Sequence, residues 1–167
     1  MITMEKTRVM ENSSIRVVKD ISAGHILDDV EKCGRMHGHN YRIEIEIMGE
    51  VQSDGMILNF DRVKDVVMQY DHKFIASKKQ VISSSGGKLN GTYELLCNHK
   101  NYTMRKDEVE VLSADFSSAE NFAKEIAYQL NTSKGVRGVT VIVEETPNNK
   151  AVFSVMNIGG SDGEPIW

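Results

Sequence analysis

Residues 14–25, SIRVVKDISAGH, alternate in character: Ile15, Val17, Ile21 and Ala23 fall on one parity, Arg16, Asp20 and Ser22 on the other. That period of two predicts a strand with one buried face. Residues 40–51, NYRIEIEIMGEV, repeat the pattern more cleanly, with Tyr41, Ile43, Ile45 and Ile47 set against Arg42, Glu44 and Glu46. The period then changes. In NFDRVKDVVMQY, residues Phe60, Val63, Val66, Val67 and Tyr70 recur at helical spacing, with Asn59 as the expected N-cap. A second helix is predicted where Ala119, Phe122, Ala123, Ile126 and Leu130 form an apolar stripe, with Ser117 and Glu120 in capping-box spacing at its start. VTVIVEET (139–146) and AVFSVMNI (151–158) read as two closing strands joined by a PNN turn.

The order is therefore ββ–α–insert–α–ββ, an α+β pattern with antiparallel hairpins at both ends. The 167 residues fit one domain with an insertion at about 77–112. Within that insertion SSSGGKLNG reads as a loop, and TYELL and VEVLS as short strands. A connection of this length carries structure of its own or a function.

Composition changes little. Twenty basic against 24 acidic residues give a net charge of −4, which offers no basis for non-specific nucleic-acid binding. No apolar run approaches membrane-spanning length, and MITMEKTRVMENSS lacks a signal-peptide core, so a cytoplasmic protein is expected. In that compartment the two cysteines, Cys33 and Cys97, are expected as free thiols.

The candidate chemistry begins at CGRMHGHN, residues 33–40. Residues two apart on a strand share a face, so His37 and His39 share the parity of Tyr41 and the isoleucines and point into the same interior. Buried neutral imidazoles need partners, and a metal ion satisfies two at once. Gly38 between them permits a close backbone approach. His25 ends the preceding strand on its buried parity, where a hairpin brings it opposite the pair. Three imidazoles with one position open form the ligand set of a catalytic zinc site. The competing reading is a histidine-bearing loop with ordinary hydrogen bonds; His25 and the nearby Cys33 tip the balance toward metal.

Two further features bear on chemistry. Asp71 and His72 adjoin at the end of the first helix; a carboxylate beside an imidazole suits a proton shuttle, although the same pair also suits a polar helix terminus. Cys33 has three open readings: a fourth zinc ligand, a buried small residue, or a thiol activated by a neighbouring cation. Glu145 shares parity with Val139, Val141 and Val143 and so points toward the core, where an unpaired carboxylate is costly. It either pairs with two adjacent N–H donors, such as the amidine edge of a guanine or pterin ring, or escapes to solvent at the strand end. His99, in the polar insertion, is expected to be exposed.

Taken in order, His25, the Cys33–His37–His39 run, GMILNF before a helix, Asp71–His72, SSAEN opening a helix and EET ending a strand resemble the 6-pyruvoyltetrahydropterin synthase family, which includes the 6-carboxytetrahydropterin synthases of 7-deazaguanine (queuosine and archaeosine) biosynthesis. The resemblance covers 14–76 and 113–158; the 77–112 insertion is longer than the family pattern. It implies a tunnelling fold, an antiparallel sheet with two helices on one face, assembled into an oligomeric barrel as a homohexamer with active sites between subunits. It implies zinc on His25, His37 and His39. Cys33 would be the general base, with Asp71 and His72 as a dyad across the substrate. Glu145 would anchor the pterin, and Ser117, Ser118 and Glu120 would lie near it. The implied substrate is dihydroneopterin triphosphate, converted to 6-carboxytetrahydropterin or to 6-pyruvoyltetrahydropterin. A zinc hydrolase of the same fold is the more distant reading. Ile21, Asn59 and Phe116 depart from the family pattern without removing a chemical group. Glu31 stands where some relatives place a glutamate in the cysteine's role.

Overall fold

The computed structural model describes residues 13–157. The opening segment read for a signal peptide lies outside them up to residue 12, as does Ile158 at the end of the last expected strand. Strand β1 (Ser13–His25) and strand β2 (His37–Gly49) pair antiparallel along their full length, from Ser13 opposite Gly49 to His25 opposite His37. Helix α1 (Phe60–Met68) follows, then strands β3 (Lys73–Ser77), β4 (Val81–Ser85), β5 (Thr92–Cys97), β6 (Lys100–Arg105) and β7 (Val109–Leu112). Helix α2 (Ala119–Asn131) leads into the closing hairpin of β8 (Val136–Thr146) and β9 (Asn149–Met156).

The main sheet has the order β7-β3-β1-β2-β8-β9, and β4-β5-β6 form a separate three-stranded sheet. The first and last hairpins are antiparallel as expected, but β3 runs parallel to β1 and β7 parallel to β3, so the sheet is mixed. The reason β3 carries no alternating pattern is physical. Ile75 of β3 faces the main core, whereas Phe74 and Ala76 face a second core with Leu95, Cys97, Val109 and Ile26. A strand covered on both faces reads as a plain apolar run. The insertion is thus more ordered than its sequence suggests: Ser83–Ser85 belong to β4, and the loop shrinks to about residues 86–91.

Helix α1 starts where expected, with the Asn59 side chain accepting the Asp61 amide at 2.7 Å. Phe60, expected in its apolar stripe, is half-exposed, and Val63, Val66 and Val67 do the burying. Helix α2 is capped one residue later than its capping-box spacing predicts. Ser118 accepts the Asn121 amide, while Ser117 is buried and donates its hydroxyl to the Ile26 carbonyl at 3.0 Å. The core lies between the odd-numbered residues of β1 and β2 and both helices. No helix among the described residues is long and apolar enough to cross a membrane.

Phe122 of α2 ties the layers together. It is 1% exposed, and its ring meets Tyr41 of β2 at 5.6 Å and Tyr70, just after α1, at 4.7 Å, both edge-on. Such contacts add to the burial of a large side chain. Phe122→Ala is therefore expected to lower unfolding free energy by about 3–5 kcal/mol in a urea titration; a loss under about 1 kcal/mol would show that the site collapses freely.

Candidate metal centre

The β1–β2 register sets His25 directly across from His37 and Ala23 across from His39. Gly38 is needed for this approach: a β-carbon there would lie 2.8 Å from the Ala23 carbonyl oxygen. The ring centroids are 4.5 Å apart for His25–His37, 5.4 Å for His25–His39 and 5.1 Å for His37–His39. Each residue offers one ligand atom within 4.8 Å of the other two.

Backbone carbonyls fix two of the three tautomers. Nδ1 of His25 lies 2.7 Å from the Ser117 carbonyl oxygen, and Nδ1 of His37 lies 2.8 Å from that of Arg35. A carbonyl only accepts, so in each ring Nδ1 carries the proton and Nε2 presents its lone pair. Burial drives the pKa of His25 down to about 4; the Ser117 bond opposes this, and repulsion from His37 and His39 adds to it. His25 is therefore neutral at pH 7, the form that binds metal. Nε2 of His25 and of His39 are buried with no hydrogen-bond partner. A buried ring nitrogen without a partner is costly, and a cation that accepts the lone pairs of all three rings removes that cost, so the donor set fits a divalent metal such as zinc.

Glu145 lies against this cluster. It falls at the irregularity between Glu144 and Thr146 in β8, and its Oε1 is 3.8 Å from His25 Nε2 and 3.9 Å from His39 Nε2. Tyr41 packs edge-on against His39 at 5.3 Å. Burial, with the Glu145 charge nearby, raises the pKa of its phenol and keeps it protonated.

An open cleft of about 530 Å³ brings His37 and His39 together with His72, Ser22, Gly24 and Lys73. Asp71 and His72 do form a pair, Oδ2 to Nδ1 at 3.0 Å. The Ser22 amide donates to Asp71 at 3.0 Å and is the main cause of its lowered pKa, with His72 assisting. The His72 backbone is left-handed, with φ of 57°, and its amide donates to the Ser22 carbonyl. The ring itself is 82% exposed, which suits proton exchange with a ligand or water. Lys73 donates to the Asp107 carbonyl.

Cys33 is part-buried on the connection between β1 and β2, a free thiol like Cys97, and is not one of the mutually close metal-binding atoms. Its reading as a fourth ligand is therefore not met in this arrangement. Ser118 is absorbed in capping α2, and Glu120 is exposed in the first turn. The carbonyls of Ser117 and Arg35, which orient two imidazoles, had no signal in sequence because any residue supplies a carbonyl. His99 is exposed as expected.

A model of the 6-pyruvoyl tetrahydropterin synthase family matches residues 14–155. A Pyrococcus abyssi protein, named by inference as a 6-carboxy-5,6,7,8-tetrahydropterin synthase, is 35% identical over 142 residues, covering 82% of this chain and 87% of that protein. A Pyrococcus horikoshii protein with the same name is 29% identical over 137 residues, 80% of this chain and 84% of the other. The solved 6-pyruvoyl tetrahydropterin synthase of Plasmodium vivax superposes with a TM-score of 0.66 at 22% identity, over 89% of this chain and 100% of that one, a likeness of fold. A variant of the Plasmodium vivax protein is described as altered at a catalytic residue, a glutamate.

The buried state of His25 sets a pH dependence. Its folded pKa, about 4, lies below the ordinary 6.5, so the unfolded protein takes up the proton first. The corresponding stability is present above pH 6.5 and is lost as pH falls toward 4. Metal-free protein should lose about 2 kcal/mol between pH 6.5 and 5 in urea titrations. His25→Gln should flatten that part of the profile; an equal slope in the variant would assign it to other groups.

Proposed function

The chain belongs to the 6-pyruvoyl tetrahydropterin synthase family, and from that premise we propose that it is a zinc-dependent 6-carboxy-5,6,7,8-tetrahydropterin synthase acting on 7,8-dihydroneopterin triphosphate in 7-deazaguanine biosynthesis. The observation that carries the reading is the three-histidine cluster with two buried, unpartnered Nε2 atoms opening to a cleft that also holds His72. The carboxy product is preferred because the curated relatives at 35% and 29% identity bear that name, whereas the pyruvoyl-named structures share only the fold. The pyruvoyl product from the same site is the second reading.

His25, His37 and His39 would hold the metal, which when bound supplies Lewis acidity that makes a C–H bond of the substrate's hydroxylated tail easier to ionise. The protein's own residues then divide the work. Cys33, as thiolate, takes a proton from one face of that tail. His72, oriented by Asp71, delivers and accepts protons on the other face. Glu145 receives the paired N–H donors of the pterin ring, turning from the imidazoles toward the cleft. Ser117, Ser118 and Glu120 border the ring at the start of α2. Water enters the carbon–carbon cleavage, and acetaldehyde and triphosphate leave with 6-carboxytetrahydropterin. Glu31 is the alternative base, given the catalytic glutamate of the Plasmodium vivax protein. The 77–112 segment elaborates a single domain, and a cytoplasmic homohexamer that closes the sheets into a barrel completes the proposal.

Incubation with zinc and dihydroneopterin triphosphate, followed by mass spectrometry, is expected to give 6-carboxytetrahydropterin with acetaldehyde. Accumulating 6-pyruvoyltetrahydropterin would select the second reading, and intact triphosphate with zinc bound would sink both. Cys33→Ala should lower kcat by roughly 10²–10⁴, the range of a lost general base; if Glu31→Gln does so instead, the base is Glu31. Glu145→Gln should raise KM about tenfold or more at unchanged zinc content. A fall in zinc content would make Glu145 a fourth ligand.

A further inference from the structure

The β5–β6 turn of the insertion reaches the connection that carries Cys33. The turn between β5 and β6 places Asn98 and His99 in left-handed conformation, φ of 45° and 64°, a tight hairpin geometry. That turn points Asn98 at the connection between β1 and β2. Its Nδ2 donates to the Gly34 carbonyl at 2.8 Å, its backbone amide donates to Asp28 Oδ1 at 2.6 Å, and its Oδ1 accepts the Asp29 amide at 3.4 Å. Gln80, in the turn before β4, donates to the Ile26 carbonyl at 2.9 Å and to Asp28 Oδ2 at 3.2 Å. The connection also closes on itself, with the Leu27 amide donating to the Cys33 carbonyl at 2.8 Å. Cys33 is thus held on its own carbonyl by Leu27 and on the next carbonyl by Asn98. Gly34 is buried, and a β-carbon there would meet Asn98 Nδ2 at 2.4 Å, so glycine at 34 is what lets the amide in.

We propose that the insertion is a positioning device whose β5–β6 turn presents Asn98 as a clamp that fixes the loop carrying Cys33. Asn98 is a positioning residue that acts through the Cys33 backbone. Its catalytic consequence rests on the reading of Cys33 as the base; the clamp itself does not.

The variant to use is Asn98→Gly. Glycine adopts the left-handed turn freely and retains the backbone bond to Asp28, so the hairpin survives while the carboxamide clamp is removed. Alkylation of the full-length protein by iodoacetamide, read residue by residue by mass spectrometry, carries its own control. Cys97 is 0% exposed in the core under the insertion and is alkylated only when that core opens. The expected result is an increase of about fivefold or more in the Cys33 rate, the scale of one lost hydrogen bond, with Cys97 unchanged. The Leu27 and Gly34 amides should also exchange faster with deuterium. In turnover of dihydroneopterin triphosphate, kcat should fall while KM stays within about twofold, because a misplaced base leaves ground-state binding intact. An unchanged Cys33 rate would overturn the clamp, as would Cys33 and Cys97 rising together, which means the insertion has merely opened. A faster Cys33 with unchanged kcat would overturn its catalytic consequence. Absence of any turnover in the wild-type protein would count against the proposed function and leave the alkylation result to decide the clamp.

Discussion

The pairing of β1 with β2 is the constraint on which the candidate site depends. A slip of one residue would turn every side chain of one strand to the opposite face and separate His25 from His37 and His39. The connection between the two strands is far too long to dictate register as a tight turn does. The burial pattern dictates it instead. Ile43, Ile45 and Ile47 are each at most 1% exposed and lie beside Val17 and Ile21 on the same buried face of the sheet, with Ile45 paired directly to Val17. At about 1.5–3 kcal/mol per buried side chain, these residues outweigh the roughly 1–3 kcal/mol cost of an unsatisfied buried polar group. The isoleucines can therefore hold unpartnered imidazole nitrogens together until a cation arrives.

The same economy of parts appears around the rings. The orienting groups for His25 and His37 are main-chain carbonyls, so the protein fixes the tautomers through the path of its backbone. The Ser117 carbonyl is held where α2 begins, and α2 is anchored by Phe122 between Tyr41 and Tyr70. Tyr41 in turn packs on His39. One aromatic ladder thus links the helix that orients the first histidine to the strand that carries the other two, and core packing and site geometry are the same set of contacts.

How legible this was in the sequence follows from how many faces each element covers. Strands β1, β2, β8 and β9 each bury one face, and their period of two announced them; the parity that places Ile43 in the core also placed His37 and His39. Strands β3 and β7 form the covered edge between two cores, so Phe74, Ile75 and Ala76 showed no alternation, and their parallel pairing was invisible locally. The cap of α2 lies one residue beyond the capping-box position because Ser117 and Ser118 are chemically equivalent; only the Ile26 carbonyl distinguishes them, by taking the Ser117 hydroxyl into the core. The β5–β6 turn leaves no such mark in the sequence, because left-handed positions are usually flagged by glycine and here they are Asn98 and His99.

The face of the sheet turned away from the helices needs its own account. It carries Arg16 paired with Glu46, Arg42 near Asp20 and Glu44, and Lys150 paired with Glu144. Exposed pairs of this kind add little stability, at most about 1 kcal/mol each. Their meaning is negative: a face so charged cannot be the inside of a second hydrophobic layer. At the same time the described sheet ends on β9, whose Val152 and Met156 are 61% and 51% exposed. The two features belong to one surface: Val152 and Met156 share the even parity of Lys150, so they stand among the ion pairs on the solvent side of the sheet rather than under a helix.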